Sequence, residues 1–273
     1  MTTGQDEQAL QALTRKISQA RGVDCAAYKE RCLKRRLAVR MRACSAHTYE
    51  AYSKVLDRDP AEYDRLLDAL TINVTKFWRN AETWQTLAEP YLGTLWRATR
   101  GHVRVWSAGC ASGEEPYTLA VALAETARQH KEEHLLVRAR IDATDLDRES
   151  LDRTRAAEFA PGTFSEMPPE LVERYFTADL PRKPLPVLQR MVRVSRHDLT
   201  RDPPPDPPYE LIVCRNVVIY FDRPVQERLF QTFYDALVPG GILLLGKVET
   251  LVGPVRERMH LEHVRERIYA KPA

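Results

Sequence analysis

The stretch from Val103 to Ala122, VRVWSAGCASGEEPYTLAVA, constrains the fold more than any other part of the chain. Val103 and Val105 lead into Ser107 and Ala108 as a buried strand would. The run breaks at Gly109, passes Cys110, Ala111 and Ser112, and reaches Gly113. A helix is expected next, with Glu114 and Glu115 in its first turn, Pro116 near its start and Leu119, Ala120 and Leu123 behind. Strand, glycine-punctuated loop and helix make the nucleotide-cradling corner of an open α/β sheet.

The charge of this corner narrows its ligand. A helix N-terminus with free amides attracts anions, yet here two carboxylates stand where a pyrophosphate would sit. No Walker-type lysine follows the second glycine, and Gly109 and Gly113 do not keep the GxGxxG spacing. Such a pocket rejects phosphates and suits a nucleoside that carries positive charge, and S-adenosylmethionine, with its sulfonium and ammonium groups, fits. The plainer alternative is that the two acids only complement the helix dipole.

With 273 residues the chain can hold one large domain, or one medium and one small. Its 44% hydrophobic and 29% charged residues are those of a soluble globular protein, and a net charge of +3 is too small to argue for nucleic acid. The five cysteines are odd in number, scattered and without a CxxC pair, which suits reduced thiols in the cytoplasm and no metal site. No signal peptide and no apolar run of membrane-spanning length is expected, and nothing demands more than a monomer.

Residues 5 to about 70 read as helices. Leu10, Leu13 and Ile17 recur at helical spacing up to Arg21-Gly22. A second helix is expected from about Cys25 to Cys44, with Leu33, Leu37 and Met41 inside and a crowd of arginines and lysines outside. Thr48 could cap a third helix and Pro60 open a fourth. Beyond residue 100, strands at 103–108, 138–144, 191–195, 210–214 and 242–245 alternate with helices at 115–128, 148–158 and 224–237, with a turn at Pro239-Gly240-Gly241. That alternation predicts a parallel sheet covered on both faces. The proline-rich piece at about 160–190 fits neither a crossover helix nor a simple loop and reads as a small inserted subdomain.

Ligands in such sheets bind at the carboxyl ends of the strands, where the strand order reverses. Four sets of candidates are expected there: Gly109 to Glu115; Asp145, suited to ribose hydroxyls; Asp198 and Leu199, suited to flank an adenine; and Cys214-Arg215-Asn216. Each alone could be a cap or a turn former; their joint placement at successive strand ends is harder to dismiss. The segment LTINVTKFWR, residues 70–79, reads as a linker pinned by Phe77 and Trp78. Arg79 in it could clamp a carboxylate, while Asn73 and Thr75 offer hydrogen bonds.

TINVTKFWR, WSAGCASGEEPYTLA, ATDLDRESLDRTR and CRNVVIYF, in this order and spacing, closely resemble the CheR-type chemotaxis-receptor methyltransferases over roughly residues 10 to 270. The resemblance implies a helical N-terminal domain at 1–75 and an α/β class I methyltransferase domain at 76–273, with a small β-subdomain inserted at about 160–190. It implies S-adenosylmethionine as donor, S-adenosylhomocysteine as product, and receptor glutamate side chains as acceptors. Carried over by position, Asn73, Thr75, Arg79, Gly109, Glu115, Asp145, Asp198, Leu199, Arg215 and Asn216 contact the cofactor, and Tyr220 lies beside the transferred methyl. The chain departs from the family pattern at Phe77-Trp78, at Asp198, and at Gly246-Lys247-Val248-Glu249, where no site residue is expected.

A glutamate acceptor is ionised at neutral pH, with a reference pKa of about 4.3, so no general base is required. Tyr220 and Arg79 are expected to orient the acceptor and the methionine end of the cofactor. Arg31, Lys34, Arg35, Arg36, Arg40 and Arg42 bunch on one helix face, which could be merely solvated or could dock the acidic receptor bundle. The stretch TADLPRKPLPVLQR has no glycine and several prolines, so no tight binding of a C-terminal tethering peptide is expected. The alternatives are a methyltransferase acting on another protein or RNA, or a regulatory module that binds the cofactor without turnover.

Overall fold

The computed structural model describes residues 3–21, 23–70 and 75–273. The chain divides into two compact units, Met1–Asn73 with Tyr220–Val225, and Val74–Ile219 with Gln226–Ala273. A boundary drawn at residue 75 misses the return of 220–225 to the first unit.

The first unit is helical: α1 (Thr3–Arg21), α2 (Glu30–Ala43), α3 (Tyr49–Arg58) and α4 (Ala61–Leu70). Leu10, Leu13, Ile17, Leu33, Leu37, Tyr52, Leu56 and Leu66 form its buried core. Thr48 caps α3 by accepting the Ala51 N–H at 3.1 Å. The single helix expected from residue 25 to 44 is broken. Asp24 accepts the Ala26 N–H at 3.1 Å and holds Cys25–Ala27 in a 3-10 turn, after which Tyr28 is extended (φ −91°, ψ 143°). Tyr28 forms an antiparallel bridge with Phe221, and their rings meet edge-on at 5.4 Å.

The second unit is built on a seven-stranded sheet in the order β3-β2-β1-β4-β5-β7-β6. The strands are β1 (Arg104–Ala108), β2 (Arg140–Asp145), β3 (Val192–Arg196), β4 (Tyr209–Cys214), β5 (Leu237–Leu245), β6 (His260–His263) and β7 (Ile268–Ala270). β1 to β5 run parallel, and β7 is antiparallel to both β5 and β6. Every residue of β4 is buried, and past Glu210 it reads as a continuous apolar run, Leu211 to Cys214, rather than an alternating one. Pro239-Gly240-Gly241 is no separate turn: it bulges within β5, where Gly240 (φ +75°) donates to the Lys271 carbonyl at 3.0 Å.

The remaining helices are α5 (Ala81–Leu87), α6 (Thr94–Thr99), α7 (Glu114–Gln129), α8 (Arg148–Ala156), α9 (Pro169–Tyr175), α10 (Pro186–Gln189), α11 (Arg223–Ala236) and α12 (Val255–Arg258). A π-helical turn, Ala88–Gly93, joins α5 to α6. Where a small β-subdomain is expected at about 160–190, the described residues hold α9, α10 and two isolated bridges, Phe159 with Arg182 and Phe176 with Pro184. Prolines at 161, 168, 169, 181, 184 and 186 lack the N–H that a strand ladder needs. This segment instead supplies an aromatic socket: Phe77 stacks on Phe164 at 4.5 Å and meets Phe159 and Phe176 edge-on. Among the described residues no helix is long and apolar enough to cross a membrane, and no cluster of His, Cys, Asp and Glu is placed to hold a metal.

Candidate active site

β1 lies between β2 and β4, so the strand order reverses there and opens a crevice at the carboxyl ends of these strands. Gly109, just past β1, has φ +88°, and a Cβ on it would lie 2.5 Å from Val217 Cγ2. No other residue suits both demands. The N–H groups of Gly109 and Cys110 donate to the Thr144 carbonyl at 2.8 and 2.9 Å, which ties the corner to β2. Gly113, at φ +104°, leaves room for Thr154, whose methyl would lie 3.0 Å from an added Cβ. The Thr154 hydroxyl donates to the Ala111 carbonyl at 2.9 Å and fixes the far side of the loop to α8.

The two acids at the start of α7 have separate fates. Glu114 is buried and accepts from the Ser112 hydroxyl at 2.7 Å. Glu115 accepts from Ser107 Oγ of β1 at 2.9 Å and so faces the crevice. Burial pushes the Glu115 carboxyl up, and the charges of Arg215 and, more weakly, Arg79 pull it back. One carboxylate, not two, serves the corner.

Asp145 ends β2. Its Oδ2 accepts the Ala111 N–H at 2.9 Å and its Oδ1 the Asp147 N–H at 3.0 Å, which leaves a second lone pair on each oxygen. Burial pushes this carboxyl up, against the pull of those N–H groups. The Asp145 carbonyl accepts from His197 N–H at 2.9 Å and so carries the frame across to β3. Asp198 follows, buried, with Oδ1 accepting the Thr200 N–H and hydroxyl at 2.9 and 2.6 Å. Its Oδ2 is buried with no partner among the described residues. Leu199 is half-buried beside it.

Arg215, just past β4, is buried; its Nη2 donates to the Arg79 carbonyl at 2.9 Å and to Asn80 Oδ1 at 2.8 Å. Its guanidinium lies 5.3 Å from the centre of the Trp84 ring. Burial pushes Arg215 down and Glu115 is the strongest charge pulling it back up. Its Nε is buried without a partner among the described residues. Arg79 itself is held by its neighbours. Phe77 sits in the aromatic socket, Trp78 N–H donates to Thr118 Oγ1 of α7 at 3.2 Å, and Trp84 Nε1 donates to the Arg79 carbonyl at 3.1 Å.

Asn216 adopts φ +62°, in the left-handed region, and Glu249 holds it there. Only 3% exposed, Glu249 accepts the Gly246 N–H at 2.7 Å, the Asn216 N–H at 2.8 Å and the Ile219 N–H at 3.3 Å. Burial pushes this carboxyl up and the N–H groups draw it down. Gly246 must be glycine, since a Cβ would lie 2.6 Å from Glu249 Oε2 and 2.9 Å from Asn216 N. The carboxylate therefore latches the end of β5 to the turn after β4.

Thr75 is half-buried before the socket, and Asn73 lies outside the described residues. Tyr220 is counted with the helical unit, where its carbonyl accepts the Lys29 N–H at 2.9 Å. On α2, Arg31, Lys34, Arg35 and Arg42 are exposed and Arg36 half-buried. Lys34 pairs with Glu30 along the same helix. Arg40 departs from the expected docking face: its Nε and Nη2 hold the buried Glu62 carboxylate at 2.9 and 2.7 Å, where Tyr52 also donates at 2.8 Å. A buried carboxylate needs such partners, so Arg40 is committed inward.

A family model described as "CheR methyltransferase, SAM binding domain" matches residues 73–268, and one described as "CheR methyltransferase, all-alpha domain" matches residues 8–71. The chain belongs to the CheR methyltransferase family. A chemotaxis protein methyltransferase of Listeria monocytogenes is 33% identical over 246 residues, covering 88% of this chain and 89% of the relative. Another, of Salmonella typhimurium, is 32% identical over 249 residues, covering 88% and 83%. A solved S-adenosylmethionine-dependent methyltransferase from Mesorhizobium loti aligns with 55% of this chain and 51% of its own at 20% identity, with a TM-score of 0.29, too loose to bear on the fold.

The cofactor of this CheR-family chain is S-adenosylmethionine, and the crevice fits it. Asp198 Oδ2 is a buried acceptor and Arg215 Nε a buried donor, both unspent among the described residues. Glu249, Asn80, Ser107 and Trp84 escape a reading of the sequence by motif. Ser107 lies within WSAGCASGEEPYTLA, Glu249 ends Gly246-Lys247-Val248-Glu249 and Asn80 directly follows TKFWR, so for these three the signal was their place in or beside a quoted motif.

Proposed function

We propose that this CheR-family enzyme methylates glutamate side chains in the cytoplasmic helical bundles of chemoreceptors, giving glutamyl methyl esters in chemosensory adaptation. The relatives named chemotaxis protein methyltransferases support the receptor as acceptor. The observation that carries the cofactor assignment is the pair of buried, unspent atoms, Asp198 Oδ2 after β3 and Arg215 Nε after β4, with the ends of β2 and β1 between them. An acceptor for N–H groups and a donor for a carboxylate complement the two polar ends of an amino-acid-bearing nucleoside.

In this reading Asp145 receives the ribose hydroxyls and Asp198 with Leu199 flanks the adenine. Glu115 meets the ammonium, and Arg79, Arg215, Asn216, Thr75 and Asn73 take the methionine carboxylate and backbone. When bound, S-adenosylmethionine supplies a methyl group activated on a sulfonium. An acceptor glutamate, with a reference pKa of about 4.3, is already ionised near neutral pH, so no side chain need remove a proton. The chain then contributes alignment, worth up to roughly 7–11 kcal/mol in well-oriented systems. Tyr220 orients the acceptor and Arg79 the methionine end of the cofactor.

The exposed cations of α2, Arg31, Lys34, Arg35 and Arg42, with half-buried Arg36, present a face suited to an acidic bundle. The deciding experiment incubates radiolabelled cofactor with receptor cytoplasmic fragments and scores volatile methanol after base. Base-stable product, or none, overturns the glutamate assignment. Arg35→Glu with Arg36→Glu is expected to raise KM for the fragment; an unchanged KM removes α2 from docking.

A further inference from the structure

The loop after β5 carries two groups the cofactor site does not use. Gly246 abuts Asn216 and Glu249 turns inward, which leaves Lys247 and Val248 at the rim, with Val248 74% exposed. Beside them a groove of about 870 Å³ opens between α5 and the β6–β7 turn. Glu82 and Thr86 form one wall, Val264, Arg265 and Arg267 the other, and Lys247 stands between them. The walls are fixed: Thr83 Oγ1 donates to buried Glu266, Lys247 pairs with Glu82 and Glu266 at 3.3 Å each, and Arg267 Nε donates to the Lys247 carbonyl at 3.3 Å.

The chemistry of this groove is amphipathic. Lys247 is spent on the two carboxylates, so Arg265 and Arg267 set its outward charge, and Arg265 is exposed with no ion pair among the described residues. Val264, 62% exposed, puts apolar surface next to these cations. An exposed valine beside arginines without an ion pair suits a partner helix with one acidic and one apolar flank. The groove also borders the site: α5 carries Trp84 beneath Arg215, and Lys247 is one residue from the glycine packed on Asn216.

We propose that this groove seats an acidic, amphipathic helical segment of the methyl-accepting protein, next to the residue being methylated. The inference rests on the receptor reading above and deepens it. The test measures methyl-ester formation on a purified receptor cytoplasmic fragment by the full-length enzyme carrying Arg265→Glu or Val264→Asp. Each variant is expected to raise KM for the fragment about tenfold, a loss equivalent to about 1.4 kcal/mol. The penalty of Arg265→Glu should shrink at high salt, and affinity for S-adenosylhomocysteine and Tm should stay unchanged. A fragment with a lysine in place of one acidic residue beside the acceptor should recover rate with Arg265→Glu. If the unaltered enzyme leaves the fragment unmethylated, the receptor reading falls and the occupant with it. If it methylates the fragment and both variants keep KM, the groove proposal alone is overturned. A change in sedimentation of Arg265→Glu by itself would mark a contact between copies of the chain and also overturn it.

Discussion

Replacing Glu249 by glutamine removes one charge and no volume, and its effect can be worked from three distances. The carboxylate accepts from Gly246, Asn216 and Ile219 at 2.7, 2.8 and 3.3 Å. Hydrogen bonds to a charged group contribute about 1.5–3 kcal/mol against about 1 kcal/mol for neutral ones. With the amide oxygen in the place of Oε2, the two short bonds lose about 1 kcal/mol each. The new NH2 faces the Ile219 N–H, donor against donor, for about 1 kcal/mol more. Relief of the burial that pushes this carboxyl up returns part of the sum, leaving a net loosening of about 2 kcal/mol. Asn216 holds a left-handed backbone that costs roughly 1 kcal/mol outside glycine, so a loosened latch lets the turn relax. Affinity falls with the fraction of molecules that keep the turn, so S-adenosylhomocysteine should bind about two- to tenfold more weakly by calorimetry. Tm should fall by about 4–8 °C in the same preparation. A lower Tm with unchanged affinity would make Glu249 a fold residue only and refute the coupling; no change in either would refute the latch.

Three further outcomes are expected. Arg79→Ala should weaken S-adenosylhomocysteine binding about tenfold, measured by calorimetry; an unchanged Kd would remove Arg79 from the proposed cofactor set. Gly109→Ala places a Cβ 2.5 Å from Val217 Cγ2 at φ +88° and should cost about 1–3 kcal/mol in a denaturant titration. Burial alone would raise the Glu62 carboxyl, but hydrogen bonds from Arg40 and Tyr52 hold it at about 2, below its ordinary 4.5. A depressed acid contributes stability above its unfolded pKa and loses it as pH falls toward the folded one. The helical unit should therefore lose up to about 3 kcal/mol between pH 4.5 and about 2, followed by circular dichroism, and Glu62→Gln should flatten that dependence.

What the sequence disclosed divides along contact distance. The corner from β1 through Gly109 and Gly113 to α7 was legible because its strand, glycines and helix start are contiguous in sequence, although Thr144, Asp145, Thr154 and Val217 fix it through space, and the alternation beyond residue 100 located all five parallel strands to within two residues at their carboxyl ends. Asp145, Asp198 and Arg215 followed from strand ends alone. Groups paired through space were not legible. Arg40 sat among six cations of one helix face, and nothing local says that its partner is Glu62, 22 residues on. Glu249 reaches Asn216 across 33 residues, so a departure from the family pattern around it hid its role. The break of the second helix at Tyr28 depends on Phe221, far later in the chain. Pro239-Gly240-Gly241 has the composition of a turn, and only pairing with Lys271 makes it a bulge.

The separation of Glu114 from Glu115 sharpens why this corner prefers a zwitterion to a phosphate. With Glu114 buried against Ser112, Glu115 is the one carboxylate that the helix start offers the crevice, and the arginines at 79 and 215 act on it. Two cations against one anion could by count favour a phosphate. Arg215, however, spends Nη2 on the Arg79 carbonyl and on Asn80, and its buried Nε has no partner among the described residues. That side of the guanidinium can meet a planar carboxylate, whereas a polyphosphate there would also have to lie beside Glu115. A ligand with an ammonium for Glu115 and a carboxylate for the arginines satisfies both signs at once. In the proposed reading, the selectivity expected of the helix start comes from Glu115 together with Arg215, each of which feels the other's charge.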